Sequence, residues 1–254
     1  MRGAMRKLFL VELRRQWPVA AYFVPVALAG LSFLMAIATG RMQRQYDVAQ
    51  QAMSLGLHSV IPLAAAIFAI GAVSNDVKDG WLRTLLIRPI TRQQYLTVKL
   101  AAVYCSLVIT TVAAVIIPNV VTAAFFVKTP VQFDLVQLVF IHALILLQGF
   151  LYVVILLFLS CWLPGVFNVL ALGIWAILAA SLSSYIQYVH WMDKWLVILK
   201  EYFFPSGFWD SIDVIMAKTG TPVSELAWGI GALAMFLALA FWSISAIQVD
   251  KGSE

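Results

Sequence analysis

SNDVKDGWLRTLLIRPITRQQYLTVK, residues Ser74 to Lys99, is a charged island between two long apolar runs. It holds five of the seventeen Lys and Arg residues and two of the twelve acids, yet it also carries Trp81, Leu82, Leu85 and Leu86 at near-helical spacing. At about 100° per residue those four fall on one arc and Asp76, Asp79 and Arg83 on the other, with Lys78 breaking the pattern. Ser74 or Asn75 can cap the start, Asp79 and Arg83 stand four apart, and Pro89 stops the helix and biases Arg88 away from helical geometry. The stretch predicts a short amphipathic helix, a turn, and a second helix that enters a membrane.

The surrounding chain supplies that membrane part. Its 254 residues are 63% hydrophobic and 11% charged, with a mean hydropathy of +0.92. A soluble domain is about half apolar and a quarter charged, so the composition is that of an all-α polytopic membrane protein. The net charge of +5 does not point to nucleic acid, because the charges are spread through loops and no basic face interleaves with stacking aromatics. Cys105 and Cys161, the only cysteines, are expected near the cytoplasmic ends of spans, as small buried residues and not as a disulfide.

Residues 1–17, MRGAMRKLFLVELRRQW, carry five basic side chains. Met5, Phe9, Leu13 and Trp17 lie along one side with Lys7 and Arg14 opposite, while Arg6 and Glu12 intrude on the apolar arc. An interfacial helix on an anionic membrane surface fits this pattern, and so does a basic flank that merely orients the first span. Six transmembrane helices follow, at 19–39, 57–73, 98–127, 135–159, 166–184 and 226–247. The third is about 45 Å long as a straight helix against a hydrocarbon core of about 30 Å, so Pro118-Asn119 marks where it kinks, ends or emerges. Residues 185–225 are too long for a turn and rich in aromatics. There Trp191, Trp195, Ile198, Leu199 and Tyr202 share a face opposite Asp193, Lys200 and Glu201, predicting an outer re-entrant or interfacial helix that Pro205-Ser206-Gly207 breaks. No repeat divides the chain, so 1–254 reads as one membrane domain.

Six spans put both termini on one side. With the termini inside, Met1 to Trp17, Asn75 to Lys99, Ser160 to Gly165 and the tail hold eleven Lys and Arg against six outside. The positive-inside rule therefore predicts cytoplasmic termini and a cytoplasmic 74–99 loop; a bacterial inner or plasma membrane is the expected location.

The spans carry almost no ionisable groups. His142 stands alone, with no HExxH pattern and no acid in its span, and reads as a satisfied polar residue or one lining a pathway. His58 has no second ligand at i+3 or i+4, so neither a metal site nor a catalytic residue is expected. No GxxxxGK[ST] loop is present, nor any intramembrane relay of Asp, Glu or Arg. Any uphill transport needs energy from a separate subunit, and the 74–99 helix is a surface that could receive it by a helix-in-groove contact. Lying on lipid headgroups is its other reading.

The loop resembles the cytoplasmic segment of ABC-2 type transporter permeases, the membrane subunits of certain ATP-binding-cassette exporters. Their pattern is an acidic start, G-T-L-E-x-L-L-x-x-P-x-S-R, and a lysine entering the third span. Asp76 or Asp79, Gly80, Leu82, Leu85, Leu86, Pro89, Thr91, Arg92 and Lys99 match it in order, while Trp81, Arg83 and Val98 depart from it. The resemblance implies a coupling helix that contacts a nucleotide-binding ATPase subunit, with Asp76, Gly80, Trp81, Leu82, Leu85, Leu86, Pro89, Arg92 and Lys99 as coupling residues. It also implies a second permease half, identical or paralogous, and a pathway near which Asn168, Trp175, Ser181 and His142 are candidates. ATP and Mg would bind the partner subunit, leaving this chain no cofactor and no enzyme activity of its own. The sparse charge of the spans favours an amphiphilic or hydrophobic cargo such as a peptide, an antibiotic or a lipid-like molecule. The alternative is a self-sufficient membrane protein, either a bacteriocin-immunity factor or a lipid-modifying enzyme.

Overall fold

The computed structural model describes residues 2–16, 22–42, 46–48, 51, 56, 60–87, 90–126, 131–132, 134–186, 207–217 and 220–247. These are nearly all helical: α1 (Arg2–Gln16), α2 (Tyr22–Met42), α3 (Ile61–Ala69), α4 (Ser74–Lys78), α5 (Trp81–Leu86), α6 (Arg92–Phe125), α7 (Leu135–Ser160), α8 (Phe167–Ile186), α9 (Gly207–Ala217) and α10 (Val223–Ala246). A two-residue parallel bridge joins Tyr46–Asp47 to Val131–Gln132. Ile61–Lys78, α6, α7 and α10 are long and apolar enough to cross a bilayer, and Pro25–Ala38 and Phe167–Leu178 add shorter apolar stretches. The chain is a multi-pass membrane protein. His58, Pro89 and the helix expected at 191–203 lie outside the described residues.

α7 is the axis of the bundle. Every residue from Leu151 to Leu157 is buried, as a helix apolar on all sides must be when neighbours surround it, and α3, α6, α9 and α10 pack around it. Close approach, not charge, holds the centre: a Cβ on Gly149 would meet Leu107 at 2.9 Å and Ile61 at 3.1 Å, so α3, α6 and α7 converge on that hydrogen. On the periphery, Val26 and Leu34 of α2 and Ile174 and Ile177 of α8 turn outward, the side chains that lipid tails solvate.

α6 begins at Arg92, ahead of the apolar run that starts at Val98, because Thr91 and Gln94 form a reciprocal capping box. It passes through a π-helical turn, Val112–Ile116, and continues beyond Pro118 to Phe125. Pro118 supplies no N–H to the turn before it, and the wider π turn absorbs the mismatch. The Asn119 amide then donates to Val115 O at 2.8 Å. At the other end of the bundle from the 74–99 loop, α9 crosses α10 where two glycines meet. A Cβ on Gly207 would lie 2.3 Å from Gly229 N, and one on Gly229 would lie 2.9 Å from the buried Phe208 ring.

Candidate functional site

The loop folds as two short helices and not one. α4 ends at Lys78 with Asp79 as its C-cap, Gly80 takes a left-handed φ of +69°, and α5 begins at Trp81. Asp79 and Arg83 therefore lie on either side of the break, and the i,i+4 pairing expected of one continuous helix does not arise. The leucines point inward: Leu82 is 1% and Leu85 3% exposed, so they root α5 in the core and do not form its free face. That free face is Arg83, Thr84 and Ile87, with Lys78 and Asp79 beside it.

Beneath the loop lies a buried charge cluster. The Lys99 ammonium, seven residues into α6, donates to Glu12 Oε2 and to Asp76 Oδ2, both at 2.8 Å. The Tyr95 hydroxyl, one turn earlier, donates to the same Asp76 oxygen at 2.6 Å. Arg15 reaches Asp76 Oδ1 at 2.9 Å and Glu12 Oε1 at 3.4 Å, and its guanidinium lies 5.1 Å over the Trp81 ring. Trp81 Nε1 completes the set by donating to Glu12 Oε1 at 3.2 Å. The Glu12, Asp76 and Lys99 side chains are 1%, 2% and 7% exposed, whereas that of Arg15 is 40% exposed. Burying such charges is costly unless they are paired and hydrogen-bonded, and here two anions meet two cations and each carboxylate oxygen has a donor. Burial alone would lower the Arg15 pKa, but the Asp76 and Glu12 carboxylates outweigh it and raise it.

The cluster revises the reading of α1. Leu8 and Glu12 form its buried side, with Met5 and Phe9 packed partly beside them. Glu12 does not intrude on an apolar face; it is the anchor of that face, because Lys99 waits beneath it. Glu12, Arg15 and Tyr95 escape a reading based on periodicity. Two out-of-place charges, a Glu on an apolar arc and a Lys entering an apolar span, were the available signal.

A second set of bonds ties the loop to α7 and α8. α3 breaks after Ala69, where Gly71 takes a φ of +56° and a Cβ would lie 2.6 Å from the Asn75 amide. The break frees Ala69 O and Gly71 N, and fully buried Asn168 takes both: its amide donates to Ala69 O at 2.9 Å and its Oδ1 accepts from Gly71 N at 3.3 Å, while the amide also reaches Leu156 O of α7 at 3.3 Å. Ser160 Oγ accepts from Val73 N and Ser74 N, and Ser74 Oγ accepts from Gly165 N at 3.1 Å, so Ser74 fastens the α7–α8 turn and does not cap α4. A third tie is Arg92, which donates to Ser245 O at 2.8 Å and Ile247 O at 2.7 Å, covering the last carbonyls of α10.

The sequence-derived residues thus separate. Asp76, Trp81, Leu82, Leu85, Arg92 and Lys99 face the protein, and Gly80 forms the hinge between α4 and α5. Pro89 and the side chains of Leu86 and Ser181 lie outside what the structure describes. Asn168 sits in the loop's fastening, and Trp175 packs its ring against Phe236 of α10 at 5.7 Å. His142 is buried in α7 with Nδ1 2.6 Å from Leu138 O, so Nδ1 carries the proton. Cys161 donates to Leu157 O, and burial pushes its thiol up to about 12. It carries no thiolate at neutral pH.

The loop is thus tied at three places: α4 and α5 to α1, the start of α4 to the α7–α8 turn, and the first residue of α6 to the end of α10. Among known families, residues 26–246 match the one described as ABC-2 family transporter protein, a match that begins after α1. The comparison with curated proteins finds no match.

Proposed function

The chain belongs to the ABC-2 transporter family, and from that premise we propose that it is the permease subunit of an ATP-binding-cassette exporter. On this reading six spans form half of a translocation pathway for an amphiphilic or hydrophobic cargo, and a second permease half, identical or paralogous, completes it. Both termini and the 74–99 loop are cytoplasmic. ATP and Mg bind a separate nucleotide-binding subunit, whose closure pushes the loop and reorients the paired halves by alternating access.

The observation that carries this reading is the threefold fastening of the loop through Lys99, Ser160 and Arg92. A loop that only rested on headgroups would not require two buried charges paired against α1 and further hydrogen bonds to the α7–α8 turn and the end of α10. Asp79, Arg83, Thr84 and Ile87, the last 82% exposed, are the face offered to the ATPase subunit. Leu82 and Leu85 act as the root that converts a push on that face into movement of the core.

Affinity purification from native membranes tests the assignment. The wild-type chain is expected to retain an ATPase bearing a Walker loop, and the doubly substituted Arg83→Glu/Ile87→Asp chain to insert normally and lose it. Undiminished recovery by the variant overturns the coupling face, and failure of the wild-type chain to retain any such ATPase overturns the permease reading.

A further inference from the structure

The buried cluster fixes the roll of α1, and that roll leaves one of its faces exposed among the described residues. Arg6, Lys7, Leu10, Val11 and Arg14 occupy an arc of about 140° opposite Leu8 and Glu12. All five are exposed, Leu10 at 46% and Val11 at 41%. Arg15 is engaged with Asp76 and Glu12, but Arg6, Lys7 and Arg14 form no ion pair among the described residues. α1 packs along the first turns of α6, the level at which the chain passes from the charged loop into its apolar run.

We propose that this face of α1 is a binding surface for anionic phospholipid, the three cations meeting headgroup phosphates while Leu10 and Val11 enter the upper acyl layer. Charge complementarity commits the surface to an anion. The interleaving of two aliphatic side chains with the cations favours lipid over an acidic protein, because the membrane boundary solvates both kinds of group within one helical face. The cations hold long, flexible stems that can reach phosphates from a helix lying flat beside the span. Glu12 and Lys99 act as positioning residues: their bond turns this face outward and the acid inward. The inference requires only that the chain lies in a membrane, so it stands or falls independently of the transporter reading.

The test uses the full chain in nanodiscs, with Leu10→Cys carrying an environment-sensitive fluorophore in a Cys105→Ala/Cys161→Ala background. Quenching by brominated phosphatidylglycerol is compared with quenching by brominated phosphatidylcholine at the same mole fraction. Each cation near an anionic surface contributes about fivefold to binding, so the phosphatidylglycerol signal is expected to exceed the other about threefold or more. That advantage should fall to parity in 0.5 M NaCl and in the Arg6→Gln/Lys7→Gln/Arg14→Gln chain, where about 3 Å of Debye length at still higher salt marks the screening limit. Equal quenching by the two lipids overturns the proposal. So does an absence of quenching by either, or protection of the label by a bound ATPase subunit, which would assign the face to a protein partner.

Discussion

Replacing Lys99 by Met removes one cation from a buried cluster of two carboxylates and two cations, and leaves Glu12 and Asp76 to share Arg15, which is 40% exposed. Stranding a buried charge typically costs about 3–5 kcal/mol. Chemistry sets a ceiling on that cost, because a stranded carboxyl group can take up a proton. A carboxylate in water titrates near 4, so forcing a proton onto one at pH 7 costs about 4 kcal/mol, and at pH 5 only about 1.4 kcal/mol. The sign follows from proton uptake: the folded variant binds a proton that its unfolded chain releases above pH 4, so its deficit grows as pH rises. At about 2–4 °C per kcal/mol for a chain of this size, thermal unfolding in detergent should fall by about 8–16 °C at pH 7 and by about 3–6 °C at pH 5, each relative to wild type. Adding Asp76→Asn to Lys99→Met removes the stranded charge, and Tyr95 can still donate to the amide oxygen, so the double variant should be more stable than Lys99→Met alone at pH 7. Hydrogen exchange should locate the loss in α1 and the loop. A deficit that does not change between pH 5 and pH 7, or a double variant whose loss equals the sum of the two single losses, would refute the pairing logic.

Glycine substitutions on α9 and α10 should rank by what the added methyl meets. Gly207→Ala, whose Cβ would strike backbone at 2.3 Å, is expected to cost more than Gly229→Ala, which strikes a Phe208 ring able to turn; Gly231→Ala, with nothing within 4 Å, should be neutral or stabilising, and unfolding temperatures in any other order contradict the crossing. Arg92→Gln should cost about 1 kcal/mol and speed amide exchange in the last turn of α10, since two carbonyls lose a charged donor; unchanged exchange there would remove Arg92 from its capping role. In a Cys105→Ala background, Cys161 should alkylate about a thousandfold more slowly at pH 8 than in the denatured chain, with the rate rising about tenfold per pH unit up to pH 10; a rate within tenfold of the denatured chain at pH 8 contradicts its buried thiol.

Hydropathy alone separated the apolar stretches from the charged loop, because a bilayer imposes length and composition on a span before any neighbour is considered. The breaks at Gly71 and Gly80 and the Thr91–Gln94 capping box that starts α6 are also set locally, although one continuous helix ahead of Pro89 is the expectation from sequence and the structure divides it. These are local facts, fixed within a few residues. What the tertiary structure decided is direction. Leu82 and Leu85 have helical spacing whether they face a partner or their own core, and only the bundle turns them inward. Asn168 has the composition of a pathway residue, and only the break in α3, 97 residues away in sequence, makes it a fastening. Glu12 looked misplaced on its helix because the cation that neutralises it lies 87 residues further on. A buried charge is stable only through its partner, and a partner that distant is invisible to periodicity. The loop between Ser74 and Lys99 was therefore legible as a helix-forming, membrane-entering element, while its grip on α1, α7 and α10 belongs to the fold.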